Sequence, residues 1–123
     1  MVVGAGIGGL TASLLLSRVG ARITLVERAE RPSEVGAALA LQPNGMAVLD
    51  RLGLLPAASA VSTRVDGLEI RSVTGRRLLV AGMPDLGAGI DHAIAIRRTD
   101  LHRLLLEAVE GTDSVDIRLG APR

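Results

Sequence analysis

"VVGAGIGGLTASLLLSRVGARITLVER", Val2 to Arg28, decides how the chain begins to fold. Two apolar stretches flank a run of glycines, and an acid closes the segment. Met1 to Val3 read as the end of a strand. Gly8 to Val19 read as a helix in which Leu10, Leu14, Leu15 and Val19 share one broad apolar face. Gly20 sits where a helix C-terminal glycine belongs. Residues 22 to 26, Arg-Ile-Thr-Leu-Val, alternate into a second strand. A strand, a helix and a strand in this order predict a βαβ unit with parallel strands.

Gly4, Gly6 and Gly9 spell G-x-G-x-x-G at the strand-to-helix junction. Gly4 permits the tight turn, Gly6 lets the backbone approach a pyrophosphate, and Gly9 lets the helix pack closely on the sheet. Ala12 continues the small-residue face one turn later. The helix N-terminus offers N–H groups and the positive end of its dipole to phosphates. Glu27 follows Gly9 by 18 residues, at the end of the second strand, where its carboxylate is placed to accept hydrogen bonds from an adenosine ribose. Together these features predict a dinucleotide site. They leave NAD and FAD open. Glu27 argues mildly against a ribose 2′-phosphate, and Arg28 beside it softens that point.

Beyond this unit, residues 29 to 35 are polar, contain Pro32 and read as a loop. Ala37 to Leu41 read as a short extended segment. A helix is expected from Pro43 and Asn44 to about Leu52, stopped by Gly53. Residues 65 to 81 predict two strands around a turn at Thr74-Gly75. A loop, "GMPDLGAGID", leads to a strand over His92 to Arg97. Thr99 is the expected N-cap of the next helix, with Asp100 in its first turn. Leu101, Leu104, Leu105, Ala108 and Val109 form that helix's apolar face. Gly111 ends it, and 114 to 119 read as a last strand. No repeat, low-complexity tract or linker interrupts the sequence.

The 123 residues suit one domain. A 48% hydrophobic and 22% charged composition is that of a globular chain. A net charge of +1 gives no field for nucleic acid or an anionic membrane. No cysteine is present, which excludes disulfides, thiolate metal sites and a cysteine nucleophile. With no Phe, Trp or Tyr, the core must be aliphatic and base stacking on aromatic rings is not available. His92 and His102 have no metal-pair spacing and are expected at the surface or a strand end. Residues 2 to 16 lack the basic flank of a signal peptide, and no run is long enough to span a bilayer.

Three blocks, "VVGAGIGGLTASLLLSRVGARITLVER", "EVGAALALQPNGMAVLDRLGLL" and "IRRTDLHRLLLEAV", resemble in this order the start of FAD-dependent aromatic hydroxylases. These are the group A flavoprotein monooxygenases of the p-hydroxybenzoate hydroxylase type. The resemblance implies that Gly4, Gly6, Gly9 and Glu27 hold the adenosine diphosphate part of FAD, with Arg28 beside the adenine. It implies that Gly36 to Asn44 run near the flavin. In "RRTDL" the flavin-contacting arginine matches Arg98, with Arg97 as the adjacent alternative. A guanidinium ahead of a helix N-terminus suits phosphate or ribitol oxygens.

The implied reaction reduces FAD with NADH or NADPH and passes one atom of oxygen to a small aromatic substrate, shielded from water. Two later motifs of such hydroxylases, containing Asp-Gly and Gly-Asp, are not recognisable. The substrate-binding sheet is missing except for its beginnings at 65 to 81. The expectation is therefore a truncated portion that does not hydroxylate alone. The fold class expected is α/β: residues 1–123 as a partial, Rossmann-like FAD-binding domain, with a parallel sheet, flanking helices and an antiparallel excursion at 65–81. Alternative readings are an NAD-dependent dehydrogenase fragment and a non-catalytic dinucleotide-binding module. A cytoplasmic location, no metal, no nucleic-acid or membrane partner, and self-association through unpaired sheet edges complete the expectations.

Overall fold

The computed structural model describes residues 1–30, 36–87 and 89–121. Most of the expected 29–35 loop, including Pro32, lies outside the described residues, as do Ala88, Pro122 and Arg123. The elements in chain order are β1 (Val2–Val3), α1 (Ile7–Arg18), β2 (Ile23–Val26), β3 (Ala38–Leu41), α2 (Pro43–Arg51) and α3 (Leu55–Ala60). There follow β4 (Thr63–Val65), β5 (Gly67–Arg71), β6 (Arg77–Gly82), β7 (Ala93–Arg97), α4 (Arg98–Glu110) and β8 (Val115–Arg118). The chain forms two compact units, Met1–Ala37 with Arg98–Arg123, and Ala38–Arg97. The fold is mixed α/β with a parallel sheet and antiparallel strands.

The first unit is built on the sheet β1-β2-β8, with both pairings parallel. Val2 lies opposite Leu25, and Ile23 to Val26 lie opposite Val115 to Arg118. The period-two pattern of Ile-Thr-Leu-Val explains the central strand: Ile23 and Leu25 are buried, Thr24 and Val26 only half so.

Helix α1 packs on β1, β2 and α4. Its buried residues are Leu10, Ser13 and Leu14. The face expected from the sequence is thus too wide: Leu15 is 38% exposed, and Val19 lies past the helix end at 79%. The small residue fully buried one turn after Gly9 is Ser13, whose Oγ donates to the Gly9 carbonyl at 2.8 Å. Gly20, at φ +84°, takes the left-handed conformation that lets the chain leave the helix.

Helix α4 buries Leu101, Leu105 and Val109, one residue per turn, with Leu104 and Ala108 flanking them half-buried. It starts at Arg98, immediately after β7. Thr99 consequently lies in the first turn instead of capping it. Asp100, also in that turn, pairs with Arg103 at 2.9 Å.

The second unit has an antiparallel sheet β3-β7-β4 with β7 in the middle. Central position explains its composition, since Ala93, Ile94 and Ile96 are all buried. Helix α2 opens with Pro43, whose missing N–H costs nothing in a first turn, and buries Met46 and Leu49. Helix α3 and all of strand β4 except Val65 fill a stretch to which sequence patterning assigns nothing; the first strand expected from residue 65 starts at Gly67 as β5. Both α3 and β4 are short, and α3 buries only Ala58. The β5–β6 hairpin turns through Gly75 at φ +85°. Every residue of both its strands is exposed.

Among the described residues no helix is long and apolar enough to cross a membrane. No group of three or more His, Asp or Glu among them is arranged to hold a metal.

Candidate functional site

The candidate site lies in the first unit, where β1 gives way to α1. Gly4 N–H still donates to the Val26 carbonyl at 2.7 Å, so the turn begins as an extension of the ladder. Gly4 then takes φ +96°, which an L side chain resists. Ala5 is buried, and Gly6 returns to an extended conformation as the residue before the helix. The first helical bond runs from Leu10 N–H to the Gly6 carbonyl at 3.0 Å. The N–H groups of Gly6, Ile7, Gly8 and Gly9 therefore precede the helical ladder.

Gly9 is held to glycine by contact. A Cβ there would stand 1.8 Å from the Gly4 carbonyl oxygen, which no rearrangement of a flexible side chain relieves. A Cβ at Gly6 or Gly8 would meet nothing within 4 Å. The turn is closed against its own strand on one side and open on the other. A pyrophosphate needs that open side, with unpaired N–H groups facing it.

Glu27 is brought to this turn from the end of β2. One carboxylate oxygen, Oε2, accepts the Ala5 N–H at 2.8 Å, and Oε1 accepts the Ala29 N–H at 2.9 Å. These bonds to Ala29 and Ala5 favour the ionised form and hold its pKa below the ordinary 4.5; partial burial opposes them, and Arg28 adds to them. Each carboxylate oxygen keeps a second lone-pair direction, so ribose hydroxyls can still be accepted. Arg28 is exposed at the strand end beside it. The residues present fit an adenosine diphosphate group.

Arg98 is the first residue of α4. Its N–H donates to the Ala37 carbonyl at 3.2 Å. Its stem lies over Gly36, where a Cβ would come within 2.9 Å of Arg98 Cβ. Arg98 is exposed, and its guanidinium has no partner among the described residues. Arg97 ends β7 in the other unit, opposite Ala38. Gly4, Gly6, Gly9 and Glu27 thus converge on one turn, while Arg28 and Arg98 leave their charges in solvent.

One residue of this site escaped the sequence reading. His102, expected at the surface or a strand end, is half-buried on α4, with Nε2 2.7 Å from the Ala5 carbonyl oxygen. The other histidine, His92, contacts Asp91 and Arg64 in the second unit. The only signal for His102 in the sequence was its place beside Leu101, on the flank of the buried stripe of α4.

A family model described as "FAD binding domain" matches residues 1–121. The chain belongs to this family. It is 36% identical over 127 aligned residues to 3-hydroxybenzoate 6-hydroxylase 1 of Aquipseudomonas alcaligenes, covering 98% of this chain and 32% of that protein. It is 39% identical to 3-amino-4-hydroxybenzoate 2-monooxygenase of Streptomyces cremeus, covering 85% of this chain and 27% of that one. A crystal structure of PqsL, a probable FAD-dependent monooxygenase from Pseudomonas aeruginosa, superimposes with a TM-score of 0.80 at 28% identity, covering 96% of this chain and 31% of that one. This FAD-binding domain spans about a third of the length of the relatives it matches. The matches support the resemblance drawn from the three sequence blocks. They do not favour an NAD-dependent dehydrogenase.

Proposed function

We propose that this domain binds FAD for an NADH- or NADPH-dependent monooxygenase that hydroxylates a small aromatic acid. The observation that carries the reading is the glycine turn: a close Gly4–Gly9 contact on one side, open N–H groups on the other, and Glu27 at its edge. The substrate class follows from the relatives, whose names specify 3-hydroxybenzoate and 3-amino-4-hydroxybenzoate. Bound FAD supplies the redox chemistry that the chain's own residues lack.

In this reading Gly4, Gly6 and Gly9 shape the backbone that receives the pyrophosphate. Glu27 accepts the ribose hydroxyls and Arg28 lies beside the adenine. Arg98 supplies a guanidinium to phosphate or ribitol oxygens. Support for Arg98 comes from α4 itself. Arg98 and His102 are four residues apart and share a helix face, and His102 reaches the glycine turn. Residues 1–123 act as one FAD-binding region in which 65–81 is an excursion, and the complete site needs groups beyond those of this chain.

Flavin retention tests the proposal. The chain is incubated with FAD, free flavin is removed, and visible absorbance is read. Retained flavin that is lost in Arg98→Ala and kept in Arg97→Ala supports the assignment. A folded chain that retains NADH and no flavin overturns it.

A further inference from the structure

We infer that His102 is a positioning residue of the glycine turn: it holds the Ala5 carbonyl and thereby aims the Gly6 N–H at the bound phosphate. This rests on the FAD reading above for the identity of the phosphate. The geometry at Ala5 stands without it.

Two peptide units meet at Ala5, and each is held by a side chain from a different element. The unit before it is fixed through the Ala5 N–H, which donates to Glu27 Oε2 at 2.8 Å. The unit after it is fixed through the Ala5 carbonyl, 2.7 Å from His102 Nε2. A carbonyl only accepts, so His102 carries its proton on Nε2. The peptide bond from Ala5 to Gly6 is trans and planar. Its C=O and N–H point in opposite directions. With the carbonyl drawn to His102 on α4, the Gly6 N–H faces the other way, beyond the hydrogen-bonded side of the turn. Apart from Gly6 and its two chain neighbours, no heavy atom of the described residues lies within 4 Å of a Cβ built on Gly6.

The imidazole suits the task by its length and by what surrounds it. Ala5 is 3% exposed, so water is a poor substitute partner for its carbonyl. A side chain without a donor at 102 leaves that carbonyl unsatisfied, and the peptide unit then rotates to find another partner. Rotation takes the Gly6 N–H off its line. Helix α4 also begins with Arg98, one turn before His102. The same helix therefore sets both the aim of a backbone donor and the place of a guanidinium.

The test compares His102→Leu with His102→Gln, whose amide nitrogen can donate from a similar distance. Three quantities are read: the Gly6 amide NMR signal of the flavin-free chain, FAD affinity, and the phosphorus NMR signal of bound FAD. The Leu variant is expected to move the Gly6 signal, weaken FAD about tenfold and shift the phosphorus resonances. The Gln variant is expected to restore all three towards those of the parent. A Leu variant with an unmoved Gly6 signal and parental affinity overturns the inference, as does a folded Gln variant that rescues nothing. If the Leu variant does not fold, nitrogen NMR of the parent imidazole decides: a ring protonated only on Nδ1 excludes the bond. A parent that retains no flavin sinks the FAD reading, and the Gly6 signal still decides the role of His102.

Discussion

Two turns of this molecule each depend on a left-handed glycine. Gly4 takes φ +96° in the first unit and Gly75 takes φ +85° in the second. The hairpin turn at Gly75 satisfies itself. Ser72 N–H donates to the Arg76 carbonyl, Gly75 N–H to the Ser72 carbonyl and Arg76 N–H to Ser72 Oγ, while the Ser72 and Thr74 hydroxyls share a bond. The turn at Gly4 is held from afar, by Glu27 and by His102. The hairpin turn is set by bonds among its own residues, Ser72 to Arg76. A turn whose conformation is fixed by remote side chains keeps its N–H groups available, which is what anion recognition requires.

The largest effect expected is at Gly9. Gly9→Ala drives a Cβ into the Gly4 carbonyl at 1.8 Å, so either the turn opens or the helix shifts. The expected cost is about 3 kcal/mol of stability, read by urea denaturation, together with loss of flavin retention. Parental stability would show that the two elements part easily and that the contact does not define the turn.

Next in size is Glu27. In Glu27→Gln one carboxamide oxygen can accept one N–H, and the amide group faces the other donor. About 1–2 kcal/mol of stability should be lost, with FAD binding about tenfold weaker. Acid should mimic the change. The folded-state pKa is depressed, so the contribution is complete above the ordinary value of 4.5 and is lost as pH falls through the lower folded value. The expected signature is a loss of stability below about pH 4.5 in the parent that is reduced in the Gln variant. Equal acid sensitivity in both would detach Glu27 from the turn.

The contrast between the turns also explains what the sequence made legible. Gly4, Gly6, Gly9 and Glu27 are readable because close backbone approach and a strand-end acceptor each demand a residue type at a fixed spacing. The hairpin is readable because its turn is local. His102 was not, since a bond across 97 positions leaves no periodic trace in one sequence. The strand β4 and helix α3 were missed for a related reason. Three and six residues carry too little pattern, and β4 exists through its pairing with β7. The over-wide face drawn on α1 has the opposite cause. Apolar Leu15 and Val19 satisfy a periodicity that the neighbouring elements are not placed to cover.

The smallest effects make the most discriminating test of the comparison. Gly4 and Gly75 are matched in two respects: both have positive φ, and a Cβ at either meets nothing within 4 Å. Alanine at either position should therefore cost about 1 kcal/mol, all of it backbone strain. The stability losses measured by denaturation should agree. Flavin affinity should separate them, because strain at Gly4 is relieved by rotating the peptides that Glu27 and His102 hold, whereas strain at Gly75 stays within the Ser72 to Arg76 bonds. Gly4→Ala should weaken FAD, and Gly75→Ala should leave it at the parental value. An equal loss in both would mean that the hairpin communicates with the proposed flavin site and that its self-contained bonding does not isolate it. No loss in either would mean that the left-handed glycine serves only to turn the chain, leaving Gly9, Glu27 and His102 to define the proposed phosphate face.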